Sequence, residues 1–329
     1  QEQNITEGAL TDEPRFEGDK TVNIQGLKKA FGMHEVLKGV DLQIGKAENL
    51  VVLGKSGTGK SVLIKCMVGL LQPDEGRVEV LGQEVPKLKE DDLNQVRQKI
   101  GFLFQSAALY DSMTVRENLE FALRQSKVKD KAEIDKLVEE ALDNVGLKEA
   151  IDKMPSELSG GMRKRAGLAR TIIMQPELIL YDEPTTGLDP QARHILWDRL
   201  FRLKEQGVTL VLTTHYMDEA EQLCDRLIVM DKGKIMAEGS PAELIRDYSS
   251  KEVVELRFGT DKNEVVAKEL EGRGDRLELL PARILIYTEK GEALLSSIVE
   301  SGLQPVTSLV RRSSLEDVFL RLTGRTLVD

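Results

Sequence analysis

The sequence predicts an α/β fold with a mainly parallel sheet, followed by a smaller α+β domain. Short apolar runs such as NLVVL at 49–53 and ELILY at 177–181 are typical of strands buried on both faces. A glycine-rich turn directly follows the first of these strands and leads into a helical apolar pattern. Strands that alternate with helices favour a parallel sheet, with ligands at the carboxyl ends of the strands.

The first domain is predicted to span residues 21–248, behind a flexible acidic tail at 1–20 that lacks the features of a secretory signal. Its early strands are TVNIQGL, VLKGVDLQI and NLVVL, and SVLIKCMVGLL after them has helical spacing. A helix-rich subdomain is predicted at about 86–165, where KAEIDKLVEEALDNVGL is the clearest amphipathic segment. Strands return at 177–181, 208–215 and 226–239, the last as a hairpin over Lys232-Gly233.

The second domain is predicted to span residues 249–329 as a small accessory or regulatory unit. Its strands are VVELRF, RILIYTE and PVTSLV, and its helices are KNEVVAKEL, EALLSSIVES and SLEDVFLRLTG. Ser314 and Asp317 have the spacing of a capping box at the start of the last helix, and Gly324 stands where a C-terminal cap is expected. The order of the elements indicates two rough β-α-β halves.

The composition excludes several classes of protein. A formal charge of -10 and an aromatic content of 4% argue against a nucleic-acid partner, which needs a basic face or stacking platforms. No window approaches the roughly 18 to 20 apolar residues of a membrane-spanning helix. The two cysteines, Cys66 and Cys224, have no metal-ligand spacing and favour a reduced, cytosolic setting.

The glycine-rich turn carries the clearest motif. Its sequence fits G-x-x-x-x-G-K-[ST] and reads Gly54-Lys55-Ser56-Gly57-Thr58-Gly59-Lys60-Ser61. The glycines let successive backbone N–H groups approach phosphate oxygens, and the following helix N-terminus adds partial positive charge. Lys60 is predicted to reach the β- and γ-phosphates of ATP, and Ser61 to offer its hydroxyl to Mg²⁺.

Polar residues at other strand ends are expected at the same edge of the sheet. Asp182 follows the buried run LILY and is predicted to bind Mg²⁺, since a buried carboxylate needs a partner. Glu183 is predicted to hold the attacking water of phosphoryl transfer. His215 follows VLTT and is either a catalytic or a structural residue, and Gln105 after GFLF is a weaker candidate ligand of Mg²⁺ or water.

A second turn, Leu158-Ser159-Gly160-Gly161-Met162, opens the basic helix RKRAGLART. Its exposed N–H groups make another anion site, which is one more than a single γ-phosphate requires. Two chains packed head to tail explain both, because each nucleotide is then clamped between the phosphate loop of one chain and the Ser-Gly-Gly turn of the other. The charged run Arg163, Lys164 and Arg165 is interpreted as a solvated helix face, with contacts to anionic lipid or phosphate as the alternative.

In this order the motifs resemble those of ABC (ATP-binding cassette) transporter nucleotide-binding subunits, over roughly residues 21–239. The resemblance implies a P-loop NTPase cassette that works as a homodimer on separate permease subunits, peripherally at the cytoplasmic face of the inner membrane. Carried over residue by residue, it implies ATP binding by 54–61 and Val62 (Walker A) and Mg²⁺ binding by Ser61, Gln105 (Q-loop) and Asp182 (Walker B). It implies catalysis by Glu183 and the switch histidine His215, and a D-loop at Asp189. It also implies ATP binding in trans by the signature residues Ser159, Gly160, Gly161 and Met162. Phe31 stands where the family stacks an aromatic ring on adenine, with a core position as the alternative.

The subfamily resemblance changes along the chain. SGGMRKRAGLAR, in which Met162 replaces the usual glutamine, resembles ATPases of the Mla and Mce lipid-transport systems, as does FLFQSAALYDSMTVRENL. The ending SSLEDVFLRLTGR instead resembles drug-exporter and nodulation-type exporter ATPases, which indicates a natural mosaic or a fusion joined after Pro190.

The preferred function is therefore ATP-driven transport of a lipid or other hydrophobic molecule, with substrate-binding lipid-transport proteins as further partners. Export of a drug-like molecule, glycolipid or oligosaccharide is the alternative. A chromosome- or repair-type ATPase head is disfavoured, because no sustained heptads separate Gln105 from Leu158.

Overall fold

The computed structural model describes residues 19–104, 107–124, 128–259 and 262–324. The chain divides into two compact units, one ending at Glu238 and the other beginning at Gly239. The predicted domain boundary follows Tyr248 instead. Helix α8 (Pro241–Tyr248) packs against the last helix, α11 (Leu315–Thr323), whose Arg321 donates a hydrogen bond to the carbonyl of Tyr248 at 2.8 Å.

The first unit is built from two sheets and the helices packed on them. Its elements in chain order are β1 (Lys20–Phe31), β2 (His34–Gly45), β3 (Asn49–Leu53), α1 (Lys60–Met67), β4 (Glu75–Val80), β5 (Gln83–Glu84), α2 (Glu90–Gln98), β6 (Ile100–Leu103), α3 (Val115–Leu123), α4 (Lys131–Asn144), α5 (Gly160–Ile172), β7 (Leu178–Asp182), α6 (Pro190–Glu205), β8 (Thr209–Thr214), α7 (Met217–Leu223), β9 (Arg226–Asp231) and β10 (Lys234–Gly239). Short 3₁₀ turns lie at Val85–Lys87, Lys148–Ala150 and Pro155–Glu157.

The central sheet has the strand order β10-β9-β3-β8-β7-β6, and the neighbours from β9 to β6 are parallel. This confirms the predicted parallel sheet, whose strands β3 and β7 are buried along their whole length. Because parallel strands end at one edge, the segments that follow β3, β7 and β8 come together there. The predicted hairpin over Lys232-Gly233 is also confirmed, since these residues have φ of 48° and 81° between β9 and β10.

A second sheet, with the order β2-β1-β4-β5, is antiparallel throughout. The sequence analysis did not anticipate a separate sheet, although TVNIQGL has the alternation of a strand with one buried face. Val22 and Ile24 are buried on that face, where one apolar core joins both sheets to α1. The stretch predicted as helix-rich at 86–165 contains α2, α3, α4 and the start of α5, but it also contains β6, which pairs with β7.

The second unit is a split β-α-β fold preceded by α8. Its further elements are β11 (Glu252–Arg257), α9 (Asn263–Leu270), β12 (Arg276–Leu280), β13 (Arg283–Thr288), α10 (Gly291–Glu300), β14 (Thr307–Arg312) and α11. The antiparallel sheet has the order β12-β13-β11-β14. Helices α9 and α10 pack on one face through Ala267, Leu270, Leu294 and Ile298, and Leu320 of α11 packs on the other against Val253 and Tyr287.

Besides α8, the element of this unit that was not predicted from the sequence is strand β12. It is an edge strand, and its sequence RLELL alternates with charges and is only partly buried, so its apolar signal is weak. The predicted cap at Gly324 is confirmed by its left-handed φ of 67°. Every helix in the described part of the chain is too short or too polar to span a bilayer.

Candidate nucleotide site

The phosphate loop joins β3 to α1 and needs glycine at specific positions. Gly59 caps α1 with φ of 106°, and a Cβ on it would lie 2.8 Å from Cδ2 of Leu37. Gly54 has no room for a side chain either, because its Cβ would lie 2.6 Å from the carbonyl oxygen of Met230. The loop is closed by Thr58, whose hydroxyl donates to the carbonyl of Lys55 at 2.8 Å. The glycines and this hydrogen bond together fix the curvature of the loop.

The side chain of Lys60 folds back over this loop. Its Nζ donates to the carbonyl oxygen of Gly54 at 2.7 Å and to that of Lys55 at 3.0 Å. Nζ also lies 3.9 Å from Oε1 of Glu183. Burial lowers the pKa of Lys60, and the carboxylates of Glu183 and Asp182 oppose that shift. A cation is thus held inside the loop, where phosphate oxygens can replace the carbonyl partners.

Asp182, at the end of β7, collects hydroxyl groups from two other segments. Ser61 Oγ donates to its Oδ1 at 2.9 Å, and Thr213 Oγ1 donates to the same oxygen at 2.6 Å. The carboxylate is buried, with 9% of its residue surface exposed. A carboxylate beside hydroxyls is an oxygen donor set that fits Mg²⁺, which takes one or two carboxylates plus substrate phosphates rather than a protein cage. The described ranges contain no group of three His, Cys, Asp or Glu side chains placed to hold a metal.

Glu183 follows Asp182 and has a left-handed backbone, with φ of 47°. Its side chain lies beside the loop, where Oε1 is 3.9 Å from Nζ of Lys60. Its N–H donates to the carbonyl oxygen of Thr213 at 3.1 Å and to the hydroxyl oxygen of the same residue at 3.0 Å. Its Oε2 accepts a hydrogen bond from Oγ1 of Thr186 at 3.2 Å. The carboxylate is therefore fixed next to the phosphate loop, where a water molecule can be activated.

His215 directly follows β8, and its ring lies beside Glu183. Nδ1 of His215 is 3.5 Å from Oε1 of Glu183. The ring of Tyr216 lies against the imidazole, with 4.1 Å between the ring centroids. The structure thus brings the phosphate loop, Asp182, Glu183 and His215 to one edge of the sheet, as the sequence predicts.

The Ser-Gly-Gly turn begins α5. Ser159 is the N-cap, and its Oγ accepts from the N–H of Met162 at 3.2 Å. A Cβ on Gly161 would approach that of Ala192 to 3.1 Å, whereas one on Gly160 would meet nothing within 4 Å. Gly161 is thus explained by packing within the chain. Gly160 is not, and it leaves the exposed helix start open to approach from outside.

The interpretation of the basic run after this turn as a solvated face is wrong for Lys164. Arg163 is exposed, but Lys164 is buried with 7% of its surface exposed, and its Nζ reaches main-chain carbonyls beyond β7. The error arises because consecutive residues of a helix point about 100° apart, so a charged run cannot all lie on one face.

Four further predicted site residues have different environments. Phe31 is 48% exposed at the end of β1, which excludes its alternative interpretation as core, and Nζ of Lys29 lies 5.5 Å from its ring centroid. Val62 is half-buried against the core, so what it can offer to phosphate is its backbone N–H. Asp189 is the N-cap of α6, where Oδ1 accepts from the N–H of Ala192 at 2.9 Å. Gln105 lies outside the described residues.

Thr213 and Thr186 both hold the predicted carboxylates but were not among the predicted site residues. A usable signal existed for Thr213, because β8 ends in Thr213-Thr214 at the same sheet edge as Asp182. Thr186 lies in the turn after β7, where no periodic pattern marks it.

Comparisons with known proteins find matches for both units of the chain. The profile of the family described as "ABC transporter" matches residues 37–186, and that of "Nodulation factor export protein NodI, C-terminal domain" matches residues 263–324. The chain is 38% identical over 311 residues to the Nod factor export ATP-binding protein I of Rhizobium sp. (strain N33), which covers 93% of this chain and 98% of that protein. It is 37% identical over 308 residues to the protein of the same name from Burkholderia lata, with coverage of 94% and 98%.

Solved structures of ABC proteins also match this chain. Clostridium perfringens cbiO1, described as part of the ABC transporter complex cbiONQ, matches with a TM-score of 0.64 and 29% identity over 70% of this chain and 92% of that one. The ATP-binding cassette MJ0796, a dimer bound to ADP and phosphate, matches with a TM-score of 0.63 and 30% identity over 67% and 98%.

Single relatives cover 93% and 94% of this chain and therefore span both units. The comparisons therefore do not support the predicted resemblance to Mla and Mce ATPases, and they give no reason to assume a join after Pro190. The phosphate loop, the carboxylate pair, the Ser-Gly-Gly turn and these relatives lead to one conclusion. The chain belongs to the ABC transporter family as an ATP-binding subunit, an ATPase that works with membrane permease partners.

Proposed function

We propose that this subunit drives export of a glycolipid or oligosaccharide through a separate permease. The subunit is proposed to lie at the membrane face where it binds that permease. The observation that carries the proposal is the match to Nod factor export ATP-binding proteins over 311 residues, which includes the domain beyond the cassette. Export of a glycolipid or oligosaccharide was the alternative interpretation of the sequence, and these relatives favour it over lipid trafficking of the Mla and Mce kind. The second unit is proposed to be the accessory domain that this class of exporter shares.

In the proposed reaction, Glu183 accepts a proton from the attacking water while His215 orients the groups around the terminal phosphate. Lys60 and the loop N–H groups neutralise charge on the β- and γ-phosphates. Asp182 and the hydroxyl of Ser61 are the proposed Mg²⁺ ligands, with Gln105 as a third. When bound, the cation withdraws charge from the phosphate oxygens and so eases breakage of the terminal P–O bond.

The working form is proposed to be a homodimer in which each ATP contacts both chains. Two observations support it: the exposed helix start at Ser159 and Gly160, and the similarity to MJ0796, whose ADP-bound structure is dimeric. Gly160 has neither a crowded Cβ position nor a positive φ, although glycine costs helix stability. Close approach of a phosphate group on the nucleotide held by the partner chain accounts for glycine at this position. Asp189, at the start of α6, is proposed to face the same interface.

The substrate proposal is tested on the complex of this chain with its permease, purified in detergent. A fatty-acylated oligosaccharide is expected to raise the ATPase rate severalfold, while phospholipid and a hydrophobic cationic drug leave it unchanged. The complex with Glu183→Gln serves as the control for contaminating ATPases. Stimulation by phospholipid alone would return the chain to lipid trafficking, and stimulation by the drug would assign it to drug export.

A further inference from the structure

Lys164 is a buried cation that the proposed reaction does not use. It lies in the second turn of α5, five residues after the N-cap Ser159. Its Nζ donates to the carbonyl oxygen of Thr186 at 2.6 Å and lies 3.3 Å from that of Glu183. Both acceptors belong to the main chain of the turn between β7 and α6. The side chain therefore crosses from the signature helix to the turn that carries the proposed catalytic carboxylate.

The environment of this ammonium is specific and costly. Burial lowers the pKa of Lys164, and the carboxylates of Glu219 and Glu183 oppose the shift. A buried charge is tolerated when hydrogen bonds and opposite charge compensate for its lost hydration. Its immediate neighbour Arg163 is exposed on the same helix and needs no such compensation. The position of Lys164 is thus determined by the turn it contacts.

The backbone of Glu183 is held by hydrogen bonds on two sides. On the side of β8, Thr213 accepts its N–H, and on the side of α5, Lys164 approaches its carbonyl oxygen. Between these contacts the residue has φ of 47°, a region that L-amino acids other than Asn, Asp and Gly rarely occupy. Such a conformation persists where surrounding contacts over-determine it. Loss of one contact lets the residue relax and moves its carboxylate away from the site of the attacking water.

We propose that Lys164 is a positioning residue that holds Glu183 in its reactive place and ties it to the signature turn of the same chain. The inference rests on the hydrolytic role of Glu183 proposed above. Helix α5 begins at the Ser-Gly-Gly turn, which in the proposed dimer contacts the nucleotide held by the partner. Movement of α5 on closure is then transmitted through Lys164 to the carboxylate that acts on the chain's own nucleotide.

The test compares two substitutions at this position in the full-length chain. Lys164→Met keeps the length of the side chain and removes the charge and donors, whereas Lys164→Arg keeps both. The matched control is Lys136→Met on α4, where the ammonium is exposed and lies 3.8 Å from Glu140. Three quantities are measured for each variant: kcat for MgATP hydrolysis, the affinity for a fluorescent ATP analogue, and the thermal unfolding midpoint.

Lys164→Met is expected to lower kcat by about 10- to 100-fold, since small misplacements of a catalytic group have effects of this size. Affinity for the analogue is expected to stay within about twofold, because a group that acts in the transition state changes kcat rather than binding. Lys164→Arg is expected to restore most of the rate, and Lys136→Met to behave as the native chain. Should Lys164→Met not fold, Lys164→Gln takes its place, with a shorter donor and an intermediate rate.

The inference is overturned if the methionine or glutamine variant turns over like the native chain, or if rate and affinity fall together in every Lys164 variant. Glu183→Gln, measured in parallel, distinguishes a failure of the catalytic role of Glu183 from a failure of the positioning role of Lys164. If Glu183→Gln still hydrolyses ATP normally, the proposed role of the carboxylate fails. If it is inactive while Lys164→Met is not impaired, the failure is confined to the positioning role.

Discussion

Nδ1 of His215 lies 3.5 Å from Oε1 of Glu183, and the two residues follow adjacent parallel strands, β8 and β7. Nδ1 is buried and has no hydrogen-bond partner among the described residues. An orphaned buried nitrogen costs free energy, so its presence beside a carboxylate calls for a functional explanation. In the proposed reaction, contact of His215 with the terminal phosphate and the attacking water supplies one.

The first prediction concerns this histidine. His215→Ala is expected to lower kcat for ATP hydrolysis by about 100-fold, in the range of positioned acid–base and orienting groups. ATP affinity is expected to change little, because the binding energy comes from the phosphate loop. Steady-state hydrolysis and equilibrium binding of a fluorescent ATP analogue measure the two effects. Unchanged turnover would assign His215 a structural role, packed against Tyr216.

Glu183→Gln tests the carboxylate and the dimer together. The amide cannot accept a proton from water, so hydrolysis is expected to fall by about 1000-fold. The side chain keeps its size and its contact with Thr186, so ATP binding should persist. Because nucleotide stabilises whichever state binds it, MgATP is expected to shift this variant from monomer to dimer in sedimentation experiments. ADP is the control, and a variant that stays monomeric with MgATP contradicts the shared-nucleotide arrangement.

The sequence predicted the parallel sheet and the strand ends that meet at one of its edges, but not the antiparallel sheet or strand β12. Ser61, Asp182 and His215 could be placed together because they lie at or beyond the carboxyl ends of buried strands, and parallel strands end at one sheet edge. The antiparallel sheet could not be separated from the central one, because alternation in β1 reveals a buried face but not the strands that pair with it. Strand β12 was not predicted because an edge strand has too few buried residues to leave an apolar pattern.

Lys164 shows a different limit of sequence reasoning. A charged run on a helix is usually solvated, and nothing in RKRAGLART marks its second residue as buried. Its acceptors are the main-chain carbonyls of Glu183 and Thr186, and main-chain groups carry no sequence signal. Burial of a long amphipathic side chain against backbone is therefore visible only once the turn after β7 has been placed next to α5.

Gly59 allows the geometry of the phosphate loop to be tested. Gly59→Ala is expected to weaken ATP binding by about tenfold, since the roughly 1–3 kcal/mol of strain at a positive φ brackets the 1.4 kcal/mol that corresponds to a tenfold change. The new methyl group also meets Leu37 Cδ2 at 2.8 Å. The control is Gly82→Ala, which has φ of 75° and open space around the added Cβ. That variant is expected to lose some stability and keep native ATP affinity, as measured by calorimetry.

The second unit has a buried ionic cluster whose contribution to the free energy of unfolding is expected to depend on pH. Asp317 is 1% exposed on α11, and its carboxylate accepts hydrogen bonds from Arg311 at 2.7 and 2.9 Å and from the hydroxyl of Tyr287 at 3.1 Å. Burial raises the pKa of Asp317, but the bonds from Arg311, from the N–H of Ser314 and from Tyr287 outweigh it, and the pKa lies below its usual value. The folded unit therefore favours the ionised form.

A depressed pKa in the folded state gives stability that is complete above the unfolded-state pKa and is lost as the pH falls through the folded-state value. Asp317→Asn is accordingly expected to lower the free energy of unfolding by about 2 kcal/mol near neutral pH, the size of a charge-assisted hydrogen-bond loss. The difference between native and variant should shrink below about pH 4, near the ordinary Asp pKa. Hydrogen exchange of amides in β11 and β13 reports this unit separately, because local protection follows the stability of each cooperative region. A difference that stays constant from pH 7 to acid would show that packing, and not the ionised carboxylate, is what the asparagine disturbs.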